Sequence, residues 1–488
     1  MAAGKGIEVK HLRDAVRDGV KLVSKKPDVK EAEAFASSNM LRTMRICYAT
    51  NVPSNGLEEA KSKEGFGIGI RVTFRDGGTG FGKADADLTR AGAELAYKKA
   101  VLSKVHDPDY HGLPQPRGKP KIGKYHDVRM ERISDEKAVA LTYDALGGAF
   151  SELGKSAKLP NLNITGELNF LTEKMAIASS SGIDETDEST IAICTLTTIL
   201  ELESDISGMW FDSASSLSAF RPKNAGKTSA QKVLSVKGAG RVESGNYDVV
   251  LGRQALADLL YSRLSVGLDS IDMKASPFVG KLGKKVAVEG LNIADDGLYK
   301  GAIGTKRVTD EGLPTGRTEI IKGGTLVNFL SNNYYARKFS DDARYNMQNG
   351  FRFGGGGRNY SSEPGISATN VVVGAGDFKK DSDLVREVKN GIYIGRIWYS
   401  YPVNGLASAD FTSTIRGDSY IIRNGEITSG LIPNTCRIND NLERIFMNIK
   451  GIGKEQHATL AWAEDAVVIT PEVAVKGVRI ERIARGLY

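Results

Sequence analysis

Metal-binding side chains are scarce in this sequence: five histidines and three cysteines among 488 residues. Cys47, Cys194 and Cys436 lie far apart, which excludes a disulfide scaffold and predicts reduced thiols in a cytoplasmic protein. No run of about 18 apolar residues exists, so no membrane-spanning helix is expected. The opening MAAGKGIEVKHLRDAV is broken early by charge and lacks the apolar core of a signal peptide. No block of Lys or Arg stands out either. The 66 basic and 59 acidic residues are interleaved, and the net charge of +7 reads as a solvated mixed surface. Without an aromatic-basic pattern, nucleic-acid binding is not expected. What is abundant is glycine, 55 residues, above the usual ~7%. The glycines cluster at turns and strand ends, which points to a β-rich fold.

The length exceeds one typical core, so two or three domains are expected. Residues 9–25 read as an amphipathic helix, and 32–38 and 42–49 as strands. Phe66, Ile68, Ile70, Val72 and Phe74 alternate strictly, so one face of a strand is buried. Gly65, Gly67 and Gly69 fall on the other face, where something must approach closely. Because the strand continues through these glycines, a dinucleotide-binding fingerprint is rejected. Asp76-Gly77-Gly78 is a turn, and Asp85 or Asp87 caps a helix reaching about residue 101. Residues 106–124 are a linker. His106, Asp107, Asp109 and His111 within it read as loop polar groups rather than metal ligands. A helix over 132–155, capped near Ser134 or Asp135, precedes strands at 162–171, 174–179, 190–202 and 205–214. A short helix and strand fall within 223–242, a strand over 246–252, a helix over 254–268 and a short helix over 441–452. Asn424-Gly425 marks a type I′ hairpin.

The segment LLYSRLSVGLD, residues 259–269, is the most informative. With the motifs around it (SPF, KLGKKV, ADDG, TDEGLPTGRTEII, FRFGGGGRNY, TNVVVGAGD and VNGLASADF), it resembles the TldD/PmbA metallopeptidase family over roughly residues 35–485. The resemblance implies a metal helix of pattern LLHExxxHGLE at this place. Here Tyr261 stands at the first His, Ser262 at the Glu and Val266 at the second His. Val266 offers no donor atom, neutral tyrosine is a poor zinc ligand, and Ser262 cannot take a proton near pH 7. The segment 452–480, where the resemblance implies a Cys ligand, has no cysteine. The chain therefore resembles the PmbA/TldE branch, which lacks the HExxxH motif. Positions five apart lie ~140° apart on an ideal helix, so ligation requires a distorted helix; without a metal a more regular helix is expected.

The implied fold is α+β: a mixed N-terminal α/β half followed by a β-rich C-terminal domain with few helices. Boundaries are expected at 1–125, 126–240 and 241–488, the last carrying the degenerate helix. The implied function is that of a metal-free, non-catalytic subunit of a TldD/TldE-type peptidase complex acting on unfolded or short peptides. Zinc would sit in a TldD-like partner, with no cofactor in this chain. Arg352, Arg358 and Asn370, around the glycines 354–357, are the candidates for holding peptide. The loop from Thr315 to Thr318 is a second such loop or faces the partner. The alternatives are a homodimeric peptide-binding or regulatory protein without proteolysis, or a peptidase using an unrecognised site. Ser262 has no neighbouring base in sequence and reads as a helix-surface serine, Tyr261 as a packing residue, and His457 as a strand-end residue.

Overall fold

The computed structural model describes residues 6–52, 56–121, 123–154, 161–200, 206–234, 238–339, 345–354, 357–461 and 466–483. In the N-terminal half the elements run α1 (Val9–Val23), β1 (Val29–Ala49), β2 (Gly56–Phe74), β3 (Thr79–Asp85), α2 (Arg90–Leu102), α3 (Val128–Glu131) and α4 (Asp135–Leu153). They continue through β4 (Leu162–Ser179), β5 (Asp184–Leu200), β6 (Ile206–Ala214) and α5 (Pro222–Leu234). Among the described residues the strands form one antiparallel sheet in the order β3-β2-β1-β4-β5-β6. This sheet runs through the expected boundary at 125/126, taking β1–β3 from one side and β4–β6 from the other.

The expected strands at 32–38 and 42–49 are one strand, β1, and those at 162–171 and 174–179 are one strand, β4. The polar residues that read as interruptions pair straight through the ladder, Asn39 opposite Gly65 on one side and Glu173 on the other. Their side chains reach distant partners rather than a turn: Asn39 donates to the Arg358 carbonyl at 2.8 Å.

The alternating face of β2 behaves as its pattern dictates. Ile68, Ile70, Val72 and Phe74 join Leu12, Val16, Ala93 and Ala96 in a core beneath α1 and α2. The opposite face is buried too, by the C-terminal half. A Cβ on Gly67 would meet the Tyr360 ring at 2.5 Å, and one on Gly69 the Tyr360 carbonyl at 2.4 Å. Gly65, by contrast, faces open space. The cap of α2 is Thr89, which accepts from the amides of Ala91 and Gly92; Asp87 instead holds the Thr89 amide at 2.8 Å. Ser134 caps α4 as its sequence position suggests.

The C-terminal half opens with β7 (Ala239–Gly240), β8 (Gly245–Leu251), α6 (Arg253–Arg263) and α7 (Leu268–Asp272). β8 lies inside a large sheet, antiparallel to the strand Val473–Arg482 and parallel to Gly391–Ile394. A second, six-stranded sheet among the described residues includes Ile293–Asp296, Asn370–Val373 and Val467–Thr470. The Asn424-Gly425 hairpin has φ of 51° and 77°, the two positive values a type I′ turn requires. α6 packs between the sheets, with Leu259, Leu260, Leu264 and Leu268 in the largest apolar cluster. The architecture is thus an α/β N-terminal half followed by a β-rich C-terminal half.

The two halves are joined by buried ion pairs. Glu33 of β1 binds Arg71 at 2.7 Å and Arg352 at 2.6 Å. Glu173 of β4 binds Lys306 at 2.5 Å, and Asp187 of β5 binds Arg358 at 2.7 Å. The linker before α3 is tied down as well: Asp107 accepts from Tyr334 at 2.8 Å, and Asp109 pairs with Lys338 at 2.9 Å. These carboxylates serve hydrogen bonds, in keeping with the reading of this loop as polar surface.

Candidate functional site

α6 does not continue to residue 268. It ends at Arg263, with the Leu264 amide capping onto the Leu260 carbonyl. Ser265 has a φ of 24°, and the chain then runs extended: the Leu330 amide donates to the Val266 carbonyl at 2.9 Å, and the Leu268 amide to the Leu330 carbonyl at 3.0 Å. A β-branched residue followed by glycine weakens the helix at this point, and the pairing with Leu330 provides an alternative for the backbone. Tyr261 and Ser262 therefore sit on the last turn of α6, whereas Val266 lies in the link to α7. The expected regular helix through Val266 is replaced by a break.

Tyr261 and Val266 border a cavity of about 540 Å³ between β4–β5 and the C-terminal half. Tyr261 is half exposed at its edge, and Val266 forms part of an apolar wall with Leu260, Leu264 and Ile303. Ser262 points elsewhere: its hydroxyl donates to the Asp258 carbonyl at 2.6 Å, one turn back along the helix. Glu173 and Lys306 face each other at the opposite side, each almost wholly buried. Burial pushes the Glu173 carboxyl up, but Lys306 and Ser189 more than offset this and hold it below the ordinary carboxylate range. Asp269, in α7, also reaches the cavity and is raised by burial.

Arg352, Arg358 and Asn370 are close by in the fold, and most of their polar groups are engaged, although Arg352 Nε is buried without a partner. Arg352 binds Glu33 and the Ser362 carbonyl, both at 2.6 Å, and lies over the Phe35 ring. Arg358 binds Asp310, Asp187 and the Val308 carbonyl. Asn370 donates to the Asp296 carbonyl at 2.9 Å and accepts from the Gly304 amide at 3.1 Å. All three are buried to within 1% of full coverage and brace the structure internally. Residues 355–356 of the glycine loop lie outside the described residues. In the other loop, Thr315 is buried and its hydroxyl donates to the Lys306 carbonyl, while Arg317 is exposed and pairs with Glu319. His457 begins the strand His457–Leu460, as its position suggests.

The donor set does not fit a zinc ion. Val266 has no donor, Ser262 is turned into its helix, and among the described residues no group of three His, Cys, Asp or Glu side chains converges on a metal position. Residues 462–465, within the segment where a Cys ligand was sought, lie outside the described residues.

Residues 244–482 match the family profile of the PmbA/TldA metallopeptidase C-terminal domain. The chain belongs to the TldD/PmbA metallopeptidase family. It is 31% identical to a metalloprotease TldD homolog of Buchnera aphidicola over 216 residues, 43% of this chain and 41% of that one. The match thus spans less than half the length of that relative. A metalloprotease of Methanothermobacter thermautotrophicus is 23% identical over 412 residues, 82% of this chain and 84% of its own. The crystal structure of TldE from Thermococcus kodakarensis superposes with a TM-score of 0.80 at 20% identity, covering 96% of this chain and 100% of that one. At that identity the likeness speaks to the fold. Sequence reasoning singled out Tyr261, Ser262 and Val266 and passed over the cavity residues Glu173, Lys306 and Asp269. Asp269 did carry a signal, since it falls on the final Glu of the pattern LLHExxxHGLE.

Proposed function

We propose that this chain is the metal-free, non-catalytic subunit of a two-chain peptidase of the TldD/TldE type, working in the cytoplasm. It would complete the chamber wall, help position an unfolded or short peptide, and stabilise a zinc-bearing TldD-like partner in which hydrolysis occurs. The observation that carries this reading is the replacement of all three ligand positions by Tyr261, Ser262 and Val266, of which Tyr261 and Val266 line the cavity. A cavity with an apolar wall and one internally neutralised ion pair suits binding rather than bond cleavage. Three free cysteines are consistent with a reducing compartment. Among the described residues no helix is long and apolar enough to cross a membrane.

The test is reconstitution. The purified chain is assayed for bound metal by elemental analysis and for peptide cleavage, alone and mixed with an HExxxH-bearing family member from the same organism. The expected outcome is no stoichiometric metal and no cleavage alone, then cleavage and a two-chain complex in native mass spectrometry on mixing. Stoichiometric zinc in the isolated chain would overturn the proposal. So would a stable homodimer that ignores every such partner, the result expected of a stand-alone peptide-binding protein.

A further inference from the structure

A second pocket, about 590 Å³, opens at the other end of α6 and shares no lining residue with the first. Arg253, the first residue of α6, lies behind it, about 12 Å along the helix from Tyr261. The wall comprises one face of the helix Asp381–Val388, the hairpin turn at Asn424-Gly425, Lys232 of α5, Tyr393, Tyr420 and Glu472. Four carboxylates line it (Asp381, Asp418, Glu426 and Glu472) against two cations, Lys232 and Arg386.

Most of these charges are matched internally. Lys232 pairs with Asp418, and Arg386 with Asp383. Arg253 is shared between Asp381 Oδ2 at 2.7 Å and Glu472 Oε1 at 3.3 Å. The Tyr393 hydroxyl donates to Glu472 Oε1 at 2.7 Å. What remains, besides the exposed Glu426, is one oxygen each of Glu472 and Asp381: Glu472 Oε2 and Asp381 Oδ1 are buried and have no hydrogen-bond partner. Glu472 is only 4% exposed. A buried carboxylate oxygen without a donor costs about 1–3 kcal/mol or more, so such an atom calls for a partner. A neighbouring void of about 20 Å³ has room for one water beside Glu472 and Gln254. Asp381 does not line that void, so a water there leaves its oxygen unserved.

We propose that this pocket binds an alkyl cation: a primary ammonium or a guanidinium group on an aliphatic stem. The two unpartnered carboxylate oxygens call for N–H donors carrying positive charge. The Tyr393 and Tyr420 rings, 5.7 Å apart, line the same wall, and Val385 and Ile427 offer apolar surface to the aliphatic stem. An anion is disfavoured because both pocket cations are already paired. The same chemistry is presented by a free amine and by a Lys or Arg side chain.

Burial and the neighbouring Asp381 raise Glu472 to about 7 against the pull of Arg253, Tyr393 and Lys232; Asp418, on Lys232, and Arg396 are further charges around the small void beside it. A cation favours the ionised carboxylate, so binding releases protons and tightens from pH 6 to pH 8.

The experiment is calorimetric titration of the full chain with n-butylammonium and n-butylguanidinium, with 1-pentanol as the neutral control and acetyl-Gly-Lys-Gly-amide as the peptide source. Saturable one-to-one binding of at least one alkyl cation is expected. Glu472→Gln should weaken it by about tenfold or more, and 1-pentanol should show no saturation. Binding of the tripeptide assigns the site to side chains of a peptide or partner; its exclusion assigns the site to free amines. If Glu472→Gln fails to fold, Asp381→Asn carries the same readout. Absence of saturable cation binding, equal binding of 1-pentanol, or an affinity unchanged by the carboxylate substitution would each overturn the proposal. None of these results touches metal content or complex formation, so the proposed function stands or falls separately.

Discussion

Ser262 directs its hydroxyl at its own helix, and this decides between a nucleophile and a surface serine. Its acceptor, the Asp258 carbonyl, is a backbone atom that no catalytic cycle can deprotonate through. Ser262→Ala should change stability by no more than about 0.5 kcal/mol and leave the activity of a reconstituted complex intact; a large loss of turnover would contradict the assignment. Glu311 presents the opposite situation. It is fully buried, accepts the Asn333 amide at 2.9 Å, and burial raises it to about 7 despite nearby Arg71. An acid raised on folding holds more protons in the native state, so its contribution falls as pH climbs from about 4.5, its unfolded value, to 7. Glu311→Gln should therefore gain stability relative to the parent between pH 5 and pH 8, by roughly 1–3 kcal/mol. Melting temperatures of the two proteins across that range will show it; parallel curves would mean that Glu311 is ionised throughout.

Among the elements, β4 shows how far a local reading reaches. The alternation and turn glycines of β2–β3, the Ser134 cap and the Asn424-Gly425 hairpin were all legible because each is fixed by residues within a few positions. The continuity of β1 and β4 was not, because Glu173 looks like a break until Lys306, 133 residues away, is brought to it. The internal pairing of Arg352 and Arg358 was hidden for the same reason: Glu33 and Asp187 lie 319 and 171 residues away. The end of α6 at Arg263 depends on Leu330, equally invisible to local periodicity. The β4 ion pair gives a direct test. Lys306→Met leaves Glu173 charged and buried, and should cost about 3–5 kcal/mol in denaturant unfolding. Adding Glu173→Gln should recover part of that loss, whereas strictly additive losses would show that the two side chains do not depend on each other.

At the scale of the molecule, the joint between halves is ionic at β1, β4 and β5 and steric at β2. Tyr360 lies against Gly67 and Gly69 and donates to Asp85 at 2.8 Å. Gly67→Ala places a methyl where the ring and the Ala84 carbonyl already are, so the C-terminal half must shift. Because buried charges tie the two halves, the parent should unfold in one calorimetric transition, and Gly67→Ala should broaden or split it. Two resolved transitions in the parent would mean that the halves are energetically independent.

The break after α6 has its own consequence. Val266 and Leu268 are fastened to Leu330 through amides and carbonyls, atoms common to every amino acid. The framework around Tyr261, Ser262 and Val266 is thus indifferent to which side chains decorate it, and these positions can be exchanged without unravelling the architecture. The braces at Glu33, Glu173 and Asp187 enjoy no such tolerance, so relatives of this chain should diversify at the former and stay constant at the latter.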